Sequence, residues 1–216
     1  MDQLMVYFEK EKKEKIERYK RLNKFIKRGE IVFVGSSLME QFPIYELMVD
    51  YDINKVIYNR GIGGLTTIEL LEILDICVFD LEPSKIFINI GTNDMNGEDY
   101  KVENLISNYD DILGQITEKL PNTKIYVMAY YPVNREAANN PWMEMTLSIR
   151  TNERISITNE SVKKLADKYK AKYIDINNNL YDEENRLKKE YTIEGMHMYG
   201  DGYEAILKDL LVYINE

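Results

Sequence analysis

Residues 31–42 read IVFVGSSLMEQF. The run IVFV is wholly apolar and three of its four residues are β-branched. It lacks the polar alternation of a half-exposed strand, so it suits a strand buried on both faces. Gly35 and two serines then turn the chain towards a segment that can start a helix. Outward from this unit the pattern repeats. KVIYN (55–59), KIFINI (85–90), KIYVMAY (124–130) and KYIDI (172–176) read as four more strands. Residues 66–81 (TTIELLEILDICVFDL) read as one helix, opened by the capping-box pair Thr66 and Glu69 and stopped before Pro83. A second has its stripe at Val102, Leu105, Ile106, Tyr109, Ile112, Leu113 and Ile116; a third covers 152–170; a last runs from Tyr203 to Ile214. Strand and helix in alternation mean parallel strands joined by crossover helices. The expected fold is a three-layer α/β/α sandwich around a five-stranded parallel sheet, forming one domain over residues 1–216.

Composition narrows the function classes. The chain has 216 residues, 44% hydrophobic and 30% charged, as in water-soluble globular proteins. Net charge is −9, which argues against a general nucleic-acid binder. The charge is uneven: residues 1–28 carry ten Lys or Arg against five Asp or Glu, so a basic leader precedes an acidic body. Phe8, Ile16, Tyr19, Leu22 and Ile26 recur in that leader at helical spacing, and Gly29 is the expected stop. Such a helix can lie on a membrane surface or pack on the body by its apolar stripe; packing is the favoured reading. One cysteine and one histidine leave no intramolecular disulfide and no ordinary zinc site. No secretory signal is read at the start, so the expected location is cytoplasmic. The sequence leaves the oligomeric state open.

Ligands of open parallel sheets bind outside the carboxyl ends of the strands. The segments to inspect are therefore 35–40, 59–66, 91–97, 131–150 and 177–198. In the first, Ser37 would sit where backbone N–H groups are unpaired, able to stabilise an oxyanion. Ser37-x-x-Glu40 is equally a capping box. In the second, Gly61, Gly63 and Gly64 let backbone approach a ligand, or simply turn tightly. Their spacing is not that of a dinucleotide fingerprint. In the third, Asn93 of Gly91-Thr92-Asn93-Asp94 can donate into the crevice, or serve a turn. The longest irregular connection is 131–150, where Trp142, Met143 and Met145 line a pocket or pin the loop. Last, Glu194 precedes His197 by three residues in EGMHMYGDGY. His197 is the only side chain of a type that ordinarily titrates between pH 5 and 8.

In this order, GSSLMEQF, NRGIGGLTT, GTND and EGMHMYGDGY resemble the four blocks of the SGNH (GDSL-like) hydrolases, over roughly residues 31–212. The resemblance implies a flavodoxin-like sandwich and a serine esterase or acylhydrolase for short-chain or acetyl esters. It further implies Ser37 as nucleophile, His197 as base, and Glu194 as the acid that orients the histidine. The oxyanion hole would be the N–H groups of Ser37 and Gly64 and the amide of Asn93. No metal or organic cofactor is implied, and the partner is a small-molecule ester. Two residues depart from the family pattern: Ser36 stands where the first block commonly has aspartate, and Glu194 where the last block has aspartate. These departures motivate the alternative of a non-catalytic module of the same fold that binds an acylated or glycan ligand. A metal-dependent phosphoesterase is a further rival, disfavoured by the single histidine.

Overall fold

The apolar runs form the strands β1 (Ile31–Gly35), β2 (Ile57–Gly61), β3 (Lys85–Asn89), β4 (Lys124–Met128) and β5 (Lys172–Ile174). The computed structural model describes residues 3–97 and 99–216, so the first two residues of the leader lie outside the described residues. Every strand pairing is parallel and the order is β2-β1-β3-β4-β5. The chain leaves β1 to one side to build β2, then returns past it to build β3. That reversal opens a crevice at the carboxyl ends of β1 and β3, where such sheets bind ligands.

Helices α1 (Gln3–Leu22), α2 (Ser37–Glu40), α3 (Ile44–Asp50), α4 (Thr67–Glu72), α5 (Leu74–Cys77), α6 (Val102–Lys119), α7 (Pro141–Ile149), α8 (Asn152–Lys168) and α9 (Gly200–Asn215) surround the sheet. Side chains alternate between faces of a strand, so each strand feeds both layers. Phe33, Phe87, Tyr126, Met128 and Ile174 pack with α2, α3 and α9. Phe87 stacks on Tyr126 at a centroid distance of 4.6 Å. Val32, Val34, Ile86, Ile88 and Val127 pack on the other face with residues of α4, α5, α6 and α8. Both faces are therefore dry, as the unbroken apolar runs require.

Three expectations change. The run 66–81 is not one helix: the capping box of Thr66 and Glu69 opens α4, but the chain breaks at Ile73 (φ −120°) and continues as α5 and a 3₁₀ turn. Its apolar residues occur nearly all round, so periodicity alone did not fix one helical face. The connection 131–150 is not wholly irregular, because α7 occupies its second half, capped by Asn140 with Pro141 in its first turn. The leader helix ends at Leu22, before Gly29. Just beyond, the Asn23 amide donates to Ile76 O at 2.8 Å and to Asp80 at 3.1 Å.

The leader packs on the body by part of its expected stripe. Tyr19 is buried and Ile16 and Ile26 lie against the same core, whereas Phe8 and Leu22 are exposed. Tyr19 Oη donates to Gly61 O at 2.7 Å, and the Arg60 guanidinium lies 4.9 Å from its ring centroid. Truncating a buried aromatic costs about 3–5 kcal/mol. Tyr19→Ala is therefore expected to lower the unfolding free energy by about 3 kcal/mol, read as a lower urea midpoint at unchanged slope. No helix among the described residues is long and apolar enough to cross a membrane.

Candidate active site

β1 delivers Ser36 and Ser37 to the crevice. Ser36 caps α2 by backbone position only and its side chain makes no capping bond. Ser37 is the first residue of that short helix, and Glu40 does not close a capping box on it. The Glu40 carboxylate instead accepts from the Gly63 N–H and from Lys15 of the leader, each at 2.5 Å. The bland reading of Ser37-x-x-Glu40 therefore gives way to a different use of both side chains: Ser37 Oγ lies 2.9 Å from His197 Nε2.

His197 comes from a tight loop between β5 and α9. Thr192 and Met198 form an isolated antiparallel bridge, and Ile193 N–H donates to His197 O at 2.9 Å. Gly195 is needed inside it, with φ +99° and with Asn134 O only 2.4 Å from where a Cβ would stand. The loop folds Glu194 back on the histidine. Its Oε1 accepts from His197 N–H at 3.1 Å and lies 2.6 Å from ring Nδ1. The longer glutamate thus reaches the imidazole. Glu194 is buried, while the His197 side chain keeps 20% of its surface exposed, enough to meet a solute. Helix α9, which follows the loop, is tied to α2 by Tyr203, whose hydroxyl donates to Leu38 O at 2.8 Å.

The glycine turn after β2 sits beside Ser37. A Cβ on Gly63 would come within 3.9 Å of Ser37 Cβ. Gly64 adopts φ +73°, a left-handed conformation suited to glycine. The Gly63 N–H is taken by Glu40, whereas the Ser37 and Gly64 N–H groups have no backbone acceptor among the described residues. Asn93 reaches the same turn, its Nδ2 donating to Leu65 O at 3.0 Å. Asp94 beside it is structural: its carboxylate accepts from Thr67 N–H at the start of α4, at 3.0 Å, and from the Thr67 hydroxyl. Burial raises the Asp94 carboxyl above its ordinary range despite those bonds. Of the residues in 131–150, Met143 is buried and pins α7, while Trp142 and Met145 are exposed.

Three side chains escaped the sequence reading. Lys12 and Lys15, counted only as part of the basic leader, pair with Glu69 of α4 and Glu40 of α2. Arg150, at the end of α7, is only 2% exposed. It donates from Nη2 to Asn93 Oδ1 at 3.1 Å and from Nε to Asn96 Oδ1 at 3.0 Å, and Nη1 contacts Met196 Sδ. Burial pulls its guanidinium down to about 10. Its position in 131–150, at the ligand-binding edge, was the one signal that could have drawn attention to it. Among the described residues no cluster of His, Cys, Asp or Glu is placed to hold a metal ion.

A family model, the GDSL-like Lipase/Acylhydrolase family, matches residues 44–205. The match starts just past Ser37 and takes in Gly64, Asn93, Glu194 and His197. The chain is 25% identical over 211 residues to the N-acylneuraminate cytidylyltransferase of Escherichia coli, covering 94% of this chain and 46% of that protein. It therefore spans less than half the length of that relative. It is 24% identical over 185 residues to platelet-activating factor acetylhydrolase IB subunit alpha2 of Rattus norvegicus, covering 85% of this chain and 75% of that one. A solved structure from Streptococcus pneumonia, provisionally described as a platelet activating factor, superposes with a TM-score of 0.86 at 32% identity, over 98% of this chain and 96% of that one. A provisionally described acylhydrolase from Bacteroides fragilis shares the fold, with a TM-score of 0.76 at 24% identity over 92% and 95% of the two chains. The sheet order, the full-length superposition and the family match over most of the sequence agree: the chain belongs to the GDSL-like lipase/acylhydrolase family.

Proposed function

We propose that the protein is a serine esterase that cleaves acetyl or other short-chain esters through an acyl-enzyme on Ser37. The observation that carries this reading is the run of contacts from Glu194 through His197 to Ser37, 2.6 and 2.9 Å long, at the point where the strand order reverses. A serine hydroxyl is a weak nucleophile until a neighbouring base takes its proton. His197 Nε2 removes the Ser37 proton as Oγ attacks the ester carbonyl, and Glu194 holds the ring by Nδ1–H and balances the imidazolium. The oxyanion forms against the Ser37 and Gly64 N–H groups and the Asn93 amide, three donors fixed before the substrate arrives. His197 then returns its proton to the leaving alcohol, and water releases the acyl group by the same steps in reverse. The rat relative, an acetylhydrolase by name, supports acetyl as the acyl group.

A fluorophosphonate probe tests the nucleophile directly. It is expected to add once, at the peptide that contains Ser37, and a protein left unlabelled at probe excess would end this reading. Asn93→Ala tests the oxyanion hole. Losing one such donor costs about 100- to 1,000-fold in turnover, so this variant is expected to stay measurable at that level. Unchanged kcat would remove Asn93 from the mechanism.

A further inference from the structure

Arg150 is a buried cation with no salt bridge among the described residues, and the Asp94 carboxylate favours its charge only from beyond ion-pair distance. Its three acceptors are two neutral amides and a thioether. Burying a charge is expensive, and a neutral side chain of similar volume commonly packs as well or better. Packing therefore gives no reason for the charge, and the partners supply one. Each neighbour of the Asn93 amide is one-sided. A guanidinium only donates, so the atom facing Arg150 must be Oδ1; a backbone carbonyl only accepts, so the atom facing Leu65 O must be Nδ2. The amide is locked with its NH₂ group at the glycine turn. One of its two hydrogens serves Leu65 O and the other is left to donate. A positive charge on Oδ1 also draws electron density from the amide, which makes the free N–H a stronger donor inside a low-dielectric interior. Through Met196, the same guanidinium touches the residue next to His197.

We infer that Arg150 is a positioning residue of the hydrolytic centre, acting through Asn93: it sets which way the amide faces and strengthens its N–H towards the oxyanion. This rests on the serine esterase reading above. With Arg150 gone, the amide can turn its oxygen to the site, where it would repel the charge it should stabilise. A side chain that merely filled space would affect folding and not the oxyanion.

A double-mutant cycle with p-nitrophenyl acetate separates these roles. Arg150→Met is expected to lower kcat about 10- to 100-fold, a large part of the loss from removing an oxyanion donor, with KM within about twofold. In an Asn93→Ala background the same change is expected to cost less than about threefold, because nothing remains for Arg150 to orient. Equal losses in the two backgrounds, or a loss confined to KM or to the melting temperature, would overturn the inference. Arg150→Lys guards against a methionine variant that does not fold. It keeps the charge and the aliphatic stem but lacks the planar fork that spans Asn93 and Asn96. It is expected to share the kcat loss and its disappearance in the Asn93→Ala background; wild-type kcat in a folded Arg150→Lys protein would overturn the inference too. A wild type that neither hydrolyses the ester nor takes up the fluorophosphonate would sink the esterase reading and this one together. A labelled, active wild type with an additive cycle would sink this one alone.

Discussion

Ser37→Ala is expected to abolish hydrolysis of p-nitrophenyl acetate and butyrate at pH 8, with a fall in kcat of roughly a million-fold where the wild-type rate is high enough to show it. The size follows from what is removed. Without Oγ there is no acyl-enzyme, and the remaining machinery can only assist direct attack by water from an oxyanion hole and a bound ester. The fold has little at stake. Ser37 begins α2, its Oγ faces His197, and alanine is the best helix former, so the melting temperature should move by no more than a degree or two. Ser36→Ala is the matched control. The Ser36 hydroxyl is buried with no hydrogen-bond partner among the described residues, so its removal is expected to leave turnover near wild type. A Ser37→Ala protein that keeps a tenth of the activity would show that water, not Ser37, attacks the ester. No wild-type turnover on either ester would turn attention to a non-catalytic binding module of the same fold.

What the sequence disclosed and what it concealed divide along physical lines. Strands β1 and β3 were legible because both faces are buried, so IVFVG and KIFIN carry no polar residue between the apolar ones. The blocks around Ser37, Gly64, Asn93 and His197 were legible because the tight turns at the carboxyl ends of the strands need particular residue types whatever surrounds them. The break at Ile73 was not, since a segment apolar on nearly every side does not say which face it will bury. Helix α7 did carry a readable start in Asn140-Pro141, an N-cap followed by the proline that favours a first turn. Arg150 was marked in the sequence only by its place in 131–150, and nothing there announced its burial. Sequence patterns assign arginine to solvent, and its burial depends on Asn93, Asn96 and Met196, more than 40 residues away in either direction along the chain. Lys12 and Lys15 escaped for the same reason: their partners Glu69 and Glu40 belong to other elements.

A graded series at Glu194 should yield the second large effect. Both of its contacts with His197 converge on one oxygen, Oε1, which accepts the backbone N–H and faces ring Nδ1. Glu194→Gln can keep an amide oxygen in that place, so it should retain the tautomer with Nε2 free to take the Ser37 proton. What it loses is the charge that balances the imidazolium. A hydrogen bond to a charged group is worth about 1.5–3 kcal/mol, which sets the expected loss in kcat at roughly 10- to 150-fold. Glu194→Ala removes the acceptor altogether, so the ring is free to turn and to take the wrong tautomer, and the loss should approach about 10,000-fold. Glu194→Asp probes the loop itself, because shortening the side chain by one methylene withdraws the carboxylate from a ring the loop places 2.6 Å from the longer acid. It is expected to fall between the other two, although the family pattern has aspartate there. Should Asp match or exceed Glu, the loop is compliant and the reach of the side chain is not what orients His197. Equal, small losses for Gln and Ala would remove Glu194 from the mechanism and leave His197 to be oriented by its own backbone contacts, the bonds of His197 O to Ile193 and Thr192.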